Sequence, residues 1–165
     1  KTLQLPSEEQ TMADEPHIMI AVSKYYEEIA DELLKGAIGV LDEAGASHEI
    51  YEIPGAFEFP AAIATALRSP EFSGGRRRFD GYVALGCVIR GETTHYDYVC
   101  QEAARGLQDL AIRHCLALGF GILTTENREQ AMARAAVDRG NKGADAANAC
   151  LRMIGFKSSF RMYPR

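Results

Sequence analysis

Four short apolar segments, each followed by a polar turn and a helical pattern, constrain the fold of this chain more than any other feature of its sequence. They are His17–Val22, His48–Ile53, Tyr82–Ile89 with an expected break at Gly86, and Ile122–Thr125 after a lead-in at 119–121. Short apolar runs bounded by turn residues are typical of buried strands. Strands that alternate with helices predict an α/β fold with a parallel sheet and right-handed crossovers.

The residues between these strands recur at helical spacing. In the first helix, Ile29, Leu33, Ala37 and Leu41 share one face, and Gly45 ends the pattern. The further predicted helices span 59–67, 98–118, 126 to about 139, and 144–154. A chain of 165 residues is long enough for one domain with its own core, and we place that domain at 17–165.

Two segments do not fit the alternation. Residues 1–16 are polar and aperiodic, which predicts either a flexible arm or, at Thr2–Leu5, a strand added to the sheet of a neighbouring subunit. Ser69–Asp80 is rich in Ser, Pro and Gly and predicts a surface excursion. Its basic cluster Arg76–Arg78 is typical of a solvated loop.

Charge and motif content exclude several classes of function. A formal net charge of -5 argues against nucleic acid as a partner, because that binding needs a broad basic face. Four cysteines without metal or CxxC spacing, and the lack of a long apolar run, predict a cytoplasmic protein outside the membrane. The chain lacks the GxGxxG, GxxxxGKS/T and GxSxG motifs. Acid–base or condensation chemistry without a metal remains.

The loops that follow the strands should carry the chemistry, because parallel strands end at one edge of their sheet. The densest of these loops is Arg90–His95, with an imidazole, two hydroxyls, a guanidinium and a carboxylate. Histidine transfers protons readily near neutral pH, so His95 is a candidate acid–base group. A histidine that packs or caps at the start of a helix is the structural alternative.

An anion is a candidate ligand for the same loop. Thr93 and Thr94, together with backbone N–H groups at a helix start, suit a phosphate, although both threonines and Asp97 also suit helix capping. A guanidinium would complete such a site, and Arg90 and Arg134 are both available.

Other strand-end residues suit a flat, hydroxylated ligand. The carboxylate of Glu58 can accept hydrogen bonds from a polyol, or it can simply favour a helix start. Tyr25, Phe57 and Phe120 can stack on a planar ring, or they can belong to the core.

Four segments resemble the signature segments of the lumazine synthase family. They are IPGAFEFP at 53–60, ALGCVIRGETTHYDYV at 84–99, GFGILTTEN at 119–127 and RGNKG at 139–143. The resemblance is collinear from about His17 to Phe160. It implies a flavodoxin-like, three-layer αβα fold with strand order 2-1-3-4. It also implies condensation of 5-amino-6-(D-ribitylamino)uracil with 3,4-dihydroxy-2-butanone 4-phosphate, the penultimate step of riboflavin synthesis.

The resemblance further implies a transferase that uses no metal or redox cofactor and acts on small-molecule substrates. Family members form homopentamers, and some assemble twelve pentamers into an icosahedral shell. The segment at 139–143 resembles the shell-forming members, although the excursion at 69–80 is longer than in many relatives. Association with riboflavin synthase is a further expectation. A lumazine-binding protein without catalysis, or a flavodoxin-like scaffold domain, is the alternative class of function.

The resemblance also assigns roles to individual residues. His95 matches the proton-transfer residue and Arg134 the phosphate-binding guanidinium, so that Arg90 yields this role. Tyr25 stands where the family commonly has a stacking phenylalanine, and Cys87 where many relatives have threonine. Phe120 and Lys142 match positions that approach the site from a neighbouring subunit. The remaining expected substrate-binding residues are Ala56, Phe57 and Glu58 for the pyrimidine and ribityl chain, Val88 and Ile89 beside Cys87 for the ring, and Glu92 and Thr93 for the phosphate substrate.

Overall fold

The computed structural model describes residues 15–69 and 77–163, which form strands alternating with helices. Most of the expected N-terminal arm and residues 70–76 of the predicted excursion lie outside the described residues. The strands are β1 (His17–Val22), β2 (Ser47–Glu52), β3 (Gly81–Ile89) and β4 (Ala117–Thr125). The helices are α1 (Glu27–Glu43), α2 (Phe59–Leu67), α3 (His95–His114), α4 (Arg128–Ala135) and α5 (Lys142–Ser159), with a short 3-10 helix at Ala56–Glu58.

The strands form a four-stranded parallel sheet in the order β2-β1-β3-β4, which confirms the predicted topology. Neighbouring strands are in register through the pairs Ile20 with Ile50 and Ile20 with Val83. All strands therefore end at one edge of the sheet, and the loops that follow them meet there.

Helices cover both faces of the sheet, and the alternation of side chains along β1 explains why. Ile18, Ile20 and Val22 belong to the core beneath α1, α4 and α5, whereas Met19 and Ala21 belong to the core beneath α2 and α3. A strand buried on both faces needs a continuous apolar run, which is what its sequence provides.

The third strand differs from the prediction at Gly86, which does not break it. β3 runs from Gly81 to Ile89 without interruption. A Cβ at Gly86 would lie 3.1 Å from Cε2 of Phe59, so the glycine lets this ring pack tightly against the strand. The continuous strand carries Cys87 and Val88 out to the carboxyl edge.

The bounds of α3 and β4 also differ from the prediction. The predicted helix began at Tyr98 and ran to Leu118, whereas α3 begins at His95 and ends at His114. Cys115 then adopts a left-handed conformation with a φ of 49°, which ends the helix and lets β4 begin at Ala117. His95 consequently lies in the first turn of a helix and not in a loop.

The last two helices shift relative to the predicted break. α4 ends at Ala135, earlier than expected, and α5 begins at Lys142 and extends to Ser159. Gly143 thus lies inside the first turn of α5, where a Cβ would come within 1.9 Å of the carbonyl oxygen of Leu33. This glycine permits a close contact between α5 and α1 where a helix break had been predicted.

Candidate active site

A cleft of about 400 Å³ opens at the carboxyl edge of the sheet. It lies among the segments that follow β1, β2 and β3. The residues that line it are Tyr25, Tyr26, Gly55, Ala56, Phe57, Glu58, Cys87, Val88, Ile89, His95 and Val99. Eight of the predicted site residues are among them, so the structure brings most of the expected site together.

The turn after β1 supplies an aromatic wall. Tyr25 is 74% exposed, and its ring meets that of Tyr26 edge to face with 5.0 Å between the ring centroids. The Tyr26 carbonyl accepts from the amides of Ile29 and Ala30 and so begins α1. Burial raises the pKa of Tyr26, which keeps its phenol protonated at neutral pH.

The segment after β2 supplies a second wall. The amide of Ile53 donates to the carbonyl of Val22 at 2.7 Å, and the chain then turns through Gly55 into the 3-10 helix. Ala56 is buried, whereas Phe57 is 54% exposed and presents its ring to the cleft. The Glu58 carboxylate folds back toward Gly55, where an added Cβ would lie 2.9 Å from Oε2.

The end of β3 forms the floor. Cys87 is buried, and Val88 and Ile89 are half-buried at the point where the strand leaves the sheet. Burial raises the pKa of the Cys87 thiol to about 11, against an opposing hydrogen bond from Thr125. Cys87 is therefore a neutral thiol at physiological pH and a poor nucleophile.

The first turn of α3 forms the rim. His95 is exposed and lies at the start of the helix, and Val99 follows one turn later on the same side. The His95 amide donates weakly to Oγ1 of Thr93 at 3.4 Å. Glu92 and Thr93 occupy the exposed loop that leads into this turn, beside the cleft but not among its lining residues.

Arg90 does not face the cleft as a free cation. Its guanidinium pairs with Asp97 at 3.0 Å and with Glu126 at 3.1 Å, and its Cζ lies 4.0 Å from the centroid of the Tyr96 ring. These hydrogen bonds raise the pKa of Arg90. Asp97 is thus a partner of Arg90, and the N-cap position of α3 is occupied by Thr94, whose side chain makes no capping hydrogen bond.

Three predicted site residues lie away from the cleft of their own chain. Phe120 is 46% exposed on β4, opposite Ala84. Arg134 is exposed on α4 and donates to the carbonyl of Gln130 at 2.9 Å. Lys142 opens α5 and pairs with Asp145 at 2.7 Å.

Three lining residues were not predicted from the sequence: Tyr26, Gly55 and Val99. Each is close in sequence to a predicted one. Tyr26 follows Tyr25 in the same turn, and Val99 lies four residues after His95, which places both on one helix face. Helical spacing from His95 would have identified Val99, whereas no pattern distinguishes Tyr26 from a core aromatic.

The cleft combines flat apolar surfaces with one carboxylate and one imidazole. Such a site suits a planar ring with hydroxyl groups and a reaction that moves protons. Among residues 15–69 and 77–163, no group of His, Cys, Asp and Glu is arranged to hold a metal ion. Within the same ranges no helix is long and apolar enough to cross a membrane.

Comparison with known proteins agrees with this geometry. The family model of 6,7-dimethyl-8-ribityllumazine synthase matches residues 15–158. The chain is 49% identical to 6,7-dimethyl-8-ribityllumazine synthase of Bartonella tribocorum over 149 residues, which cover 90% of this chain and 95% of the relative. It is 53% identical to 6,7-dimethyl-8-ribityllumazine synthase 1 of Rhizobium meliloti over 86% of this chain and 91% of the relative. The corresponding protein of Bartonella bacilliformis is 50% identical over 88% and 92%.

Proposed function

The chain belongs to the 6,7-dimethyl-8-ribityllumazine synthase family, and we propose that the cleft beside His95 is its catalytic site. The protein is a transferase that condenses 5-amino-6-(D-ribitylamino)uracil with 3,4-dihydroxy-2-butanone 4-phosphate in the penultimate step of riboflavin biosynthesis. The single observation that supports the site is that eight residues expected from sequence converge on one cleft, with an aromatic wall, a carboxylate and an imidazole.

The walls and floor of the cleft suit the pyrimidine substrate. The exposed rings of Tyr25 and Phe57 offer flat surfaces on which a planar ring can stack. The end of β3 offers backbone groups at Cys87–Ile89 where the sheet ladder ends. Glu58 accepts hydrogen bonds from the ribityl hydroxyls, because its carboxylate has no side-chain partner within the described part of the chain.

The rim suits the second substrate and the proton transfers. Glu92 and Thr93 contact the butanone phosphate, and His95 moves protons while the 5-amino nitrogen forms an imine with the ketone and water leaves. A proton then leaves C3 as the bond from C4 to the phosphate oxygen breaks, which releases phosphate and leaves an enol. The enol tautomerises to a new ketone at C3, and the ribitylamino nitrogen closes the ring on this carbonyl with loss of a second water. Orientation of two small reactants accounts for most of the rate, since effective molarities on the order of 10^5 M are worth roughly 7 kcal/mol. His95 adds a further 10^2- to 10^4-fold, approximately.

Completion of the site requires a second copy of the chain. Phe120, Arg134 and Lys142 lie outside the cleft of their own chain and are exposed, on β4, on α4 and at the start of α5. We propose that in a homopentamer these residues of one subunit face the cleft of the next, which brings the Arg134 guanidinium to the phosphate. Light scattering distinguishes a monomer, a pentamer and a shell of twelve pentamers. The four free cysteines fit a reducing compartment such as the cytoplasm.

Mixing the protein with both substrates and recording lumazine fluorescence tests the function. We expect product only when both substrates are present and expect phosphate release in equal amount. Binding of the pyrimidine without turnover, under conditions where the protein is fully assembled, would contradict the assignment and identify a binding protein.

A further inference from the structure

Arg90 lies where three segments of the carboxyl edge meet. Its backbone amide donates to the carbonyl of Thr125 at 2.9 Å, which joins the ends of β3 and β4. Its guanidinium pairs with Asp97 in the first turn of α3 and with Glu126 just after β4. One face of the guanidinium lies over the ring of Tyr96. A single side chain therefore connects β3, α3 and the segment before α4.

The loop from Gly91 to Thr94 has few attachments of its own. All its residues are exposed. Within the described ranges, the hydrogen bonds that attach it run from His95 N to Oγ1 of Thr93 at 3.4 Å and from Asp97 N to the carbonyl of Thr94 at 3.0 Å. Both bonds lead into the first turn of α3, so the position of the loop depends on how that turn is held.

Arg90 connects that turn to the segment that follows β4. Tyr96 and Asp97 follow His95 directly, and both contact the guanidinium. Glu126 is itself anchored, because its amide donates to the side-chain oxygen of Gln130 in α4 at 3.1 Å. Arg90 thus links the first turn of α3 to Glu126, which is held in turn by Gln130 of α4.

The ion pairs of Arg90 are too exposed to contribute much to stability. The side chains of Arg90, Asp97 and Glu126 are 37%, 55% and 58% exposed. Ion pairs at such exposure add little to the free energy of folding, because water screens them and ordering long side chains costs entropy. A forked guanidinium that spans two carboxylates and stacks on a ring nevertheless fixes direction, which a lysine ammonium does not.

We propose that Arg90 is a positioning residue that holds the loop 91–94 and the first turn of α3, so that Glu92, Thr93 and His95 face the phosphorylated substrate together. The inference rests on the proposed function for the identity of that substrate. Arg90 touches no substrate in this role. Its forked face is already filled by Asp97 and Glu126.

Arg90→Gln tests the proposal, with Arg105→Gln as a matched control. Arg105 also pairs with two carboxylates, Glu102 and Asp109, but it lies on the exposed side of α3 away from the cleft. We expect Arg90→Gln to lower kcat/KM for the butanone phosphate by about 10- to 100-fold, the loss that a misplacement near 1 Å produces. The KM of the pyrimidine and the thermal midpoint should change little. Arg105→Gln should leave all of these unchanged, and Arg90→Lys should restore only part of the loss.

Amide hydrogen exchange gives a second measurement that needs no turnover. We expect Arg90→Gln to speed exchange at 94–97 while Arg105→Gln does not. Unchanged exchange at 94–97 in Arg90→Gln, or an equal rise in the KM of both substrates, would overturn the positioning role. If the unaltered chain binds both substrates but makes no lumazine, the proposed function fails, while the exchange result still decides the role of Arg90.

Discussion

Polar side chains gather at both ends of the strands, but among the described residues those at the amino edge bond to one another and those in the cleft at the carboxyl edge do not. At the amino edge, Glu49 accepts from the hydroxyl of Tyr51 at 2.5 Å, pairs with Nε2 of His17 at 2.9 Å and receives two hydrogen bonds from Nη2 of Arg78. The His17 ring also stacks on Phe79. At the carboxyl edge, Glu58 and His95 line the cleft without a side-chain hydrogen bond or ion pair in the described part of the chain.

We infer from this difference that the polar groups at the amino edge serve stability and that those at the carboxyl edge serve the proposed function. The bonds to Glu49, from Tyr51 first and then from His17 and Arg78, lower the pKa of its carboxyl to about 2. Every acceptor position of that carboxylate is used inside the molecule, so nothing remains for a ligand. In the proposed function, Glu58 and His95 are the groups that contact the substrates. Exchanging residues at one edge should therefore change catalysis, and at the other edge stability.

Arg134→Ala should have the largest effect, provided that its guanidinium serves the phosphate. Within the described ranges, its side chain donates to a carbonyl of its own helix and forms no ion pair, so its charge is open to a ligand. Loss of a forked guanidinium–phosphate pair should lower kcat/KM for the butanone phosphate by about 10^3-fold or more. Steady-state kinetics with each substrate varied in turn measures this. An unchanged KM for the phosphate substrate would remove Arg134 from the site.

His95→Ala should slow turnover by about 10^2-fold without abolishing it, because orientation of the substrates survives the loss of proton transfer. The side chain is exposed and unpaired within the described residues, so the free energy of unfolding should stay unchanged. Single-turnover fluorescence measures the chemical step, and chemical denaturation measures stability. A variant that unfolds more easily while retaining its turnover would place His95 with the structural groups.

Glu58→Gln should raise the KM of the ribityl substrate by roughly tenfold, since a charged acceptor is replaced by a neutral one. The amide has nearly the same shape, so the fold should be unaffected. The matched control is a substrate analogue without ribityl hydroxyls, which the variant and the unaltered chain should bind equally. Weaker binding of that analogue by the variant than by the unaltered chain would show that Glu58 acts on the ring and not on the polyol.

Local patterns in the sequence predicted a parallel sheet whose following loops share one edge, whereas the strand order followed from the resemblance to the lumazine synthase family. Apolar runs bounded by turns place the strands, and parallel strands oblige their following loops to share one edge. Ala56, Phe57 and Glu58 could therefore be assigned to the same edge as His95 from the order of strands and loops alone. The assignment to one edge needed no knowledge of long-range packing, whereas the cleft that these residues line is seen in the structure.

The errors arose where long-range packing decides the local structure. In the sequence Gly86 indicates a strand end, but in the structure the ring of Phe59 fills the space that a side chain there would need. Gly143 likewise indicates a helix break, but the backbone of Leu33 packs against it. Sequence separation hides both contacts. The pairing of Arg90 with Glu126 is likewise invisible at a spacing of 36 residues, which left Arg90 as a candidate phosphate ligand.

Glu49→Gln should destabilise the protein by about 1–2 kcal/mol and leave catalysis unchanged. Water screens part of this interaction, because the Glu49 side chain is 30% exposed. Denaturation of the variant and the unaltered chain at pH 7 measures the difference, and lumazine formation at saturating substrate provides the control. A fall in kcat as large as that of His95→Ala would mean that the amino edge is not purely structural.

Lowering the pH should remove the difference in unfolding free energy between the unaltered chain and Glu49→Gln. This is the smallest of the expected effects and the most specific. The folded-state pKa of Glu49 is lowered to about 2 from its ordinary 4.5, so the unfolded chain binds this proton first as the pH falls. The stabilisation by Glu49 is then fully present above about pH 4.5 and is lost as the pH falls toward 2.

Other carboxylates titrate in the same range, but they do so equally in Glu49→Gln. The gap in unfolding free energy between the two proteins should therefore stay constant from pH 7 to about 5 and shrink steadily below that range. A gap that stays constant down to about pH 2.5 would show that the Glu49 cluster owes its strength to shape and not to charge.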